Sequence, residues 1–267
     1  MSSPQEHNRK AWDARVRASA RFTQPAADED FRNPLAVVDG PGWLGRTIAG
    51  RRLLCLASGG GRQSALYAAA GALVTVVDIS AEMLALDRAV AAERGLELRT
   101  IEASMDDLTA LQPASFEIVI QPVSTCYVPN VVEVYRQVAR VMVPGGLYIS
   151  QHKQPASLQA AVDPTARRGY ELIEPYYRSG PLPSVVGSPH REPGTVEFLH
   201  RWEELLGGMC RAGFAIEDLL EPLHADDQAE VGSFAHRSRY VAPYVRIKAR
   251  RNNNAPKENS AAKVWLP

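Results

Sequence analysis

Three cysteines in 267 residues, Cys55, Cys126 and Cys210, are too few and too widely spaced for a disulfide framework or a zinc cluster. No run of about 18 apolar residues occurs, so the sequence offers no helix to span a membrane. The stretch from Met1 to Ala20 is polar and charged and lacks the apolar core of a secretory signal. An excess of either charge is missing as well. With 30 basic and 30 acidic residues the formal net charge is zero, which argues against a body built to neutralise nucleic-acid phosphates or to coat an anionic membrane. There is no His-Glu-x-x-His, no Cys-x-x-Cys pair, no EF-hand loop and no Gly-x-Ser-x-Gly elbow, so neither a metal site nor a hydrolase is indicated. These absences lead to the expectation of a reduced, cytoplasmic, soluble protein with no nucleic-acid or membrane partner. A chain of this length buries about three quarters of its unfolded surface and needs no covalent or metal staple.

What the sequence does contain is alternation. Arg52 to Ala57 is a continuous apolar run entering a glycine cluster, as a strand buried on both faces reads. Arg62 to Ala70 is alanine-rich and stops at Gly71, predicting a helix; Leu73 to Val77 predicts a second strand ending on Asp78. Ser80 can cap a helix over Ala81 to Arg94, closed by Gly95. Glu97 to Ile101 and Phe116 to Ile120 read as strands three and four. Asn130 to Met142 reads as a helix with Val131, Val134, Tyr135, Val138 and Val141 on one face. Pro144-Gly145-Gly146 is expected to end that helix, and Leu147 to Ser150 to form strand five. Strands alternating with helices at this spacing imply parallel units with right-handed crossovers.

Beyond strand five the pattern loosens. Lys153 to Gly194 is rich in Pro, Gly and Tyr and reads as an insertion outside the sheet. Glu197 to Ala212 is expected to be helical, closed by Gly213, with Phe214 to Leu220 and Arg239 to Ile247 as strands six and seven. The fold class that follows is α/β: a Rossmann-like, seven-stranded, mostly parallel sheet, its last strand antiparallel, with helices on both faces. The expected organisation is a helical lead-in or cap over residues 1–50, one domain over 51–249 with the insertion at 153–194, and a flexible tail over 250–267.

The most informative segment is Ala57-Ser58-Gly59-Gly60-Gly61. Glycines just past the first strand let the backbone turn tightly and approach a ligand with no Cβ in the way. Asp78, ending the second strand, can accept both hydroxyl hydrogens of a ribose, which suits an adenosine-type ligand. A dinucleotide fingerprint needs a third spaced glycine, and Arg62, Gln63 and Ser64 stand there instead. The loop therefore suits close contact with a ligand but is a poor pyrophosphate cradle.

Together these residues carry a resemblance. Between about Arg51 and His152 the chain resembles a class I S-adenosylmethionine-dependent methyltransferase of the small-molecule type. The resemblance is carried by the Cys55-Leu56-Ala57-Ser58-Gly59-Gly60-Gly61 loop, the Val77-Asp78-Ile79-Ser80 strand end, Pro122-Val123-Ser124-Thr125-Cys126-Tyr127-Val128-Pro129 and the Pro144-Gly145-Gly146 turn. It implies S-adenosylmethionine as cofactor, S-adenosylhomocysteine as product and a small-molecule methyl acceptor. It also implies roles. The backbone of Ala57 to Gly61 runs beside the methionine part, Asp78 holds the ribose hydroxyls and Ile79 lies against the adenine. Ser104 and Met105 follow the third strand, with Met105 on the adenine face; Asp106 accepts from the adenine amino group, and Gln121 lies near the transferred methyl. Cys55, Ala57 and Ser104 depart from the family, which commonly has an acid, a glycine and an aspartate there. A nicotinamide-dependent oxidoreductase and a non-catalytic protein retaining the fold as a binding module stay open as alternatives.

Methyl transfer needs alignment and exclusion of water more than activation, and a base only where the acceptor atom carries a proton. Gln121-Pro122-Val123-Ser124 lacks the second proline and the aromatic of amino-methylating enzymes, against nucleobase methylation. Tyr127, in the same loop, and His152, just beyond strand five, are the candidate catalytic residues. His200 and His190 are further candidates of the same kind. Tyr176-Tyr177-Arg178 can line an acceptor pocket or pack on the surface, and Trp12 and Phe22, on an Arg-rich helical segment, can form a lid. The acceptor pocket is expected between the loop after strand four, the insertion and the N-terminal helix.

Overall fold

The computed structural model describes residues 3–185, 188 and 190–253. Its elements follow in chain order as α1 (Pro4–Arg17), α2 (Pro34–Val38), β1 (Arg52–Leu56), α3 (Gln63–Ala69), β2 (Leu73–Asp78), α4 (Ala81–Arg94), β3 (Leu98–Glu102), β4 (Phe116–Gln121), α5 (Val131–Val141), β5 (Met142–Lys153), α6 (Pro155–Gln159), α7 (Gly208–Arg211), β6 (Phe214–Leu220), α8 (Phe234–Arg237) and β7 (Tyr244–Arg251). The strands form one sheet in the order β3-β2-β1-β4-β5-β7-β6. β1 to β5 are parallel and β7 runs antiparallel to both of its neighbours. The order reverses at β1, beside β4, where open sheets of this kind hold their ligands.

Alternation along the strands builds two cores. Leu54, Leu56, Val119, Tyr148 and Ile247 point to one face and pack with Val134, Val138 and Val141 of α5 and Met209 of α7. Leu53, Cys55, Val74, Val76, Ile118 and Ile120 point to the other and pack with Ile48, with Tyr67 of α3 and with Leu84 of α4. Helix ends are where their residues require them. Ser80 accepts from the Met83 N–H, and Gly95 takes the left-handed conformation that closes α4. Asn130 accepts from the N–H groups of Val132 and Glu133 and starts α5.

Several expectations need correction. Helix α5 ends at Val141, and Pro144-Gly145-Gly146 does not separate it from strand five. Those residues form a bulge inside β5, where the pairing jumps from Phe116 with Met142 to Ile118 with Leu147. The expected helix over Glu197 to Ala212 begins only at Glu203, with one π-type turn to Gly207 before α7. Before it the backbone is pulled elsewhere: Glu197 O accepts from Leu182 N–H and Phe198 N–H donates to Cys126 O. Strand seven starts at Tyr244, five residues later than expected, and runs on through Arg250 and Arg251, which are sheet and not tail; 254–267 lie outside the described residues. Phe22 is not on the N-terminal helix, which stops at Arg17, and it has a φ of 71°. Among the described residues no helix is long and apolar enough to cross a membrane.

Candidate functional site

A cavity of about 710 Å³ opens over the carboxyl ends of β1, β2, β4 and β5. Its cofactor-like half begins at Ala57, which adopts a φ of 48°; its N–H donates to Val77 O at 2.7 Å as the chain leaves β1. Gly59 N–H donates to Asp78 Oδ2 at 2.9 Å, and a Cβ on Gly59 would stand 2.8 Å from Met83 Cβ and 3.1 Å from that same carboxylate oxygen. Only a glycine lets the backbone lie flat on the acid. Asp78 Oδ1 accepts from Ser80 N–H at 2.9 Å, so the carboxylate is fixed between two elements with one edge facing the cavity. Burial raises the Asp78 pKa, and the N–H groups of Ser80, Gly59 and Ile79 work against that rise.

Asp87 of α4 holds the rest of the loop. Its oxygens accept from the N–H groups of Gly60 (3.1 Å) and Gly61 (3.0 Å) and from the Ser64 hydroxyl. Burial pushes this carboxyl up to about 6 despite those donors. The sequence reading missed Asp87, although the signal was present: it is the one acid on the buried stripe Met83, Leu84, Asp87, Val90, Ala91.

The other expected cofactor residues are placed as follows. Ala57, Ser58, Gly59, Gly60, Asp78, Ile79, Ser104, Met105 and Gln121 line the cavity, whereas Gly61 and Asp106 do not. Asp106 is taken up by Ser104 Oγ and by Gln5 Nε2 of α1 at 3.1 Å, which ties α1 to the loop after β3. Gln121 is buried; its amide nitrogen donates to Ser124 Oγ at 3.0 Å and its oxygen accepts from Tyr148. Gln63 Oε1, buried on the same wall, has no hydrogen-bond partner among the described residues. A ribose-competent carboxylate, a cradle that a Cβ would fill, an orphaned polar atom and the apolar faces of Ile79 and Met105 together fit S-adenosylmethionine. Arg62, directly after the glycines, is the cation nearest in sequence for the carboxylate of its methionine part.

The acceptor-like half is roofed by α1. Asn8, buried, donates to Tyr127 O (3.0 Å) and Val196 O (2.9 Å) and accepts from Val196 N–H (2.7 Å). Trp12 stands edge-on to Tyr127 with ring centroids 5.8 Å apart. Asp13 accepts from Ser80 Oγ at 2.6 Å, so α1 is bolted to the start of α4 as well. The Tyr127 hydroxyl donates to Glu192 Oε2 at 2.7 Å, and Lys153 Nζ, buried behind, donates to the same oxygen at 2.7 Å. Burial alone would raise the Glu192 carboxyl, but Lys153 and Tyr127 hold it below its usual range, so it faces the cavity ionised.

Other expectations for this half need revision. His152 lies within β5, not beyond it, and does not line the cavity. It is fully buried, with Nδ1 against Thr125 Oγ1 and Nε2 against Ser150 Oγ, both at 2.8 Å, and its ring edge-on to Tyr135. Burial, reinforced by His200, pushes it down to about 3. His190 and His200 are also absent from the wall, as is Tyr176-Tyr177-Arg178: Tyr176 Oη accepts from Trp202 N–H, and Tyr177 is largely exposed. Of the described residues of the insertion only Glu192 reaches the cavity. The wall is completed by Asp39, Trp43, His224, Phe234 and Tyr244, which the sequence reading did not single out, and by Arg246, which it read as part of a solvated basic cluster with Lys248, Arg250 and Arg251. They come from segments far apart in the chain, and only the antiparallel β5–β7 pairing brings Arg246 opposite Gln151.

Residues 54–150 match the methyltransferase domain family. The chain is 32% identical over 236 residues to the uncharacterized methyltransferase YbaJ of Bacillus subtilis, covering 83% of this chain and 91% of that protein. It is 34% identical over 117 residues to a ubiquinone biosynthesis O-methyltransferase of Xanthomonas euvesicatoria pv. vesicatoria, over 43% of this chain and 49% of that one. Among solved structures it resembles an S-adenosylmethionine-dependent methyltransferase from Mesorhizobium loti (TM-score 0.65, 24% identity, 80% of this chain and 98% of that one). It also resembles magnesium protoporphyrin IX methyltransferase from Synechocystis PCC 6803 with bound S-adenosylhomocysteine (TM-score 0.60, 15% identity, 94% and 100%). At these identities the two structures speak for the fold.

Proposed function

We propose that this chain, which belongs to the S-adenosylmethionine-dependent methyltransferases, methylates a small-molecule acceptor seated between Tyr127, Glu192 and the rims of β5 and β7. The observation that carries the reading is that one roofed cavity has both the glycine loop with Asp78 and the Tyr127–Glu192 pair on its wall.

When bound, S-adenosylmethionine supplies a methyl group on a sulfonium, an electrophile that needs no further activation. Asp78 would take its ribose hydroxyls, Ala57 to Gly60 its methionine part, and Ile79 and Met105 its adenine. Gln121, clamped by Tyr148 and Ser124, is a rigid polar floor at the end of β4. Helix α1, with Asn8 and Trp12, keeps water from the space above it, where positioning contributes most. Glu192 is ionised and accepts from the Tyr127 hydroxyl, so it fixes that hydroxyl in place and Tyr127 can orient the acceptor. His152 does not line the cavity and reaches it only through the Ser150 hydroxyl, 2.8 Å from its Nε2, so it has no direct role in this scheme. The proposal also assigns residues 1–50 to the cap, residues from 51 through the end of β7 at Arg251 to the methyltransferase domain and the cytoplasm as the place of action, without nucleic acid or membrane.

Thermal unfolding with S-adenosylhomocysteine, S-adenosylmethionine and NADH in parallel tests the cofactor side. A ligand at about 100 times its dissociation constant adds roughly 2.7 kcal/mol, several degrees for a chain of this size. The shift is expected with the two sulfur nucleosides only, and to disappear in Asp78→Asn. For the acceptor side, protein incubated with cell extract and methyl-labelled S-adenosylmethionine should place label in compounds that pass a small-pore ultrafiltration membrane. Label confined to protein or nucleic acid would refute the small-molecule reading.

A further inference from the structure

Three arginines face the cavity, Arg21, Arg62 and Arg246, and among the described residues none of them pairs with a carboxylate. The three carboxylates on the same wall are in the opposite condition. Asp39 accepts from the N–H groups of Trp43 and Leu44 at 2.8 Å, Asp78 from Gly59 and Ser80, and Glu192 from Tyr127 and Lys153. Formal charge on the wall is balanced, but its pairing is not: the carboxylates are engaged by donors, whereas among the described residues the arginines meet no anion, Arg246 donating only to the neutral Gln151 amide. The cofactor deepens the imbalance, since its sulfonium and ammonium outnumber its single carboxylate.

Arg62 sits at the cofactor end, and Arg246 does not. Cys55 pairs with Ile120, Ile120 with Ile149 and Ile149 with Lys248, so β7 lies three strands from β1, about 14 Å at the usual strand spacing. Arg246 is opposite Gln151, one step beyond the row that holds Gln121, Ser150 and Ile247. Its Nε and Nη2 both donate to Gln151 Oε1, at 3.1 and 3.0 Å. That contact stiffens the guanidinium and, among the described residues, leaves Nη1 and the Gln151 amide nitrogen without an acceptor. Beside it stand three rings: His224 is 5.5 Å from both Phe234 and Tyr244, and Phe234 is 6.3 Å from Tyr244. Burial, then the charge of Arg246, keeps the His224 ring below its ordinary pKa, so it is neutral near pH 7 and the guanidinium is the cation of this corner.

Resting on the methyltransferase reading above, we propose that the acceptor is an aromatic carboxylate, its anionic end held by Arg246 with Gln151 and its ring against Phe234 and Tyr244. An arginine with a pre-set fork recognises a planar carboxylate well, and the aromatic wall supplies the apolar area that a small anion lacks.

The test is calorimetric titration of the full chain, saturated with S-adenosylhomocysteine, using naphthoate and its neutral isostere naphthamide as probes. Naphthoate should bind at least about tenfold more tightly than naphthamide, as a charge-assisted hydrogen bond implies. In Arg246→Gln that preference should vanish while affinity for S-adenosylhomocysteine stays within about twofold. Equal affinity for the two probes, a preference that survives Arg246→Gln, or no naphthoate binding at about 10 mM would overturn the proposal. So would loss of S-adenosylhomocysteine binding in Arg246→Gln, which would move that residue to the cofactor end. A wild-type chain that fails to bind S-adenosylhomocysteine, measured first in the same cell, defeats the cofactor side of the proposed function and this inference with it.

Discussion

Asp87 and His152 are both buried, and burial acts on them with opposite signs, because it disfavours the charged form of each. The Asp87 carboxyl is raised from an ordinary 3.8 to about 6. The folded state therefore holds its proton more tightly than the unfolded one, so this contribution to stability is fully present below about pH 3.8 and lost as pH rises through 6. Two units correspond to about 3 kcal/mol. Relative to wild type, Asp87→Asn should gain about 2–3 kcal/mol between pH 4 and 7, read from denaturant unfolding at each pH; a pH-independent difference would contradict the account. His152, lowered to about 3, contributes stability that is present above about pH 6.5 and lost as pH falls toward 3. His152→Gln should flatten that acid-side loss. Since His152 lies off the cavity wall, affinity for S-adenosylhomocysteine should stay within about twofold. A larger loss would return His152 to the site. Asp78 was legible from the sequence because it ends a strand beside its own loop. Glu192 was not, because Lys153 and Tyr127, 39 and 65 residues away, give it its place.

At the scale of elements, α1 is held by a few polar anchors more than by an apolar face; Asn8 and Asp13 are its buried residues. Asn8→Ala removes three hydrogen bonds and leaves two backbone carbonyls and one N–H of the roof without them, a cost of roughly 2–4 kcal/mol to docking. Hydrogen exchange should rise through α1 in that variant while α3 and β2 keep wild-type protection, and affinity for S-adenosylhomocysteine should fall as the roof opens. Uniform loss of protection would mean that α1 is part of the global unit. Helices α3, α4 and α5 were readable from their caps and stripes, since those signals are local. The stretch from Glu197 to Arg201 has helical composition yet is not helical, because the Glu197 carboxylate is claimed by Lys153 and Arg191 and its carbonyl by Leu182. No local pattern reports such long-range demands.

For the whole molecule, membership in the methyltransferase family decides among the alternatives that the glycine loop left open, in favour of methyl transfer over hydride transfer. At Cys55 and Ser104, where the resemblance leads one to expect acids, the loops are held by Asp87 and by the Ser104–Asp106 contact. The formal net charge of zero has its own consequence: the chain projects little long-range field, whatever the cavity does locally. Raising ionic strength from about 0.05 to about 0.5 M should change the association rate of S-adenosylhomocysteine by less than about threefold. Stopped-flow tryptophan fluorescence can follow this, with Trp12 and Trp43 on the cavity wall as reporters.

The position of β7 between β5 and β6 also governs the order in which a nascent chain can become competent. The glycine loop, Asp78 and their strands emerge from a ribosome early and can assemble from neighbouring segments. β6 emerges before the strand that must join it to the sheet, and it waits as an unpaired edge until Tyr244 to Arg251 follow. Translation thus completes the glycine-loop half of the cavity well before the half that β7 closes with Tyr244 and Arg246.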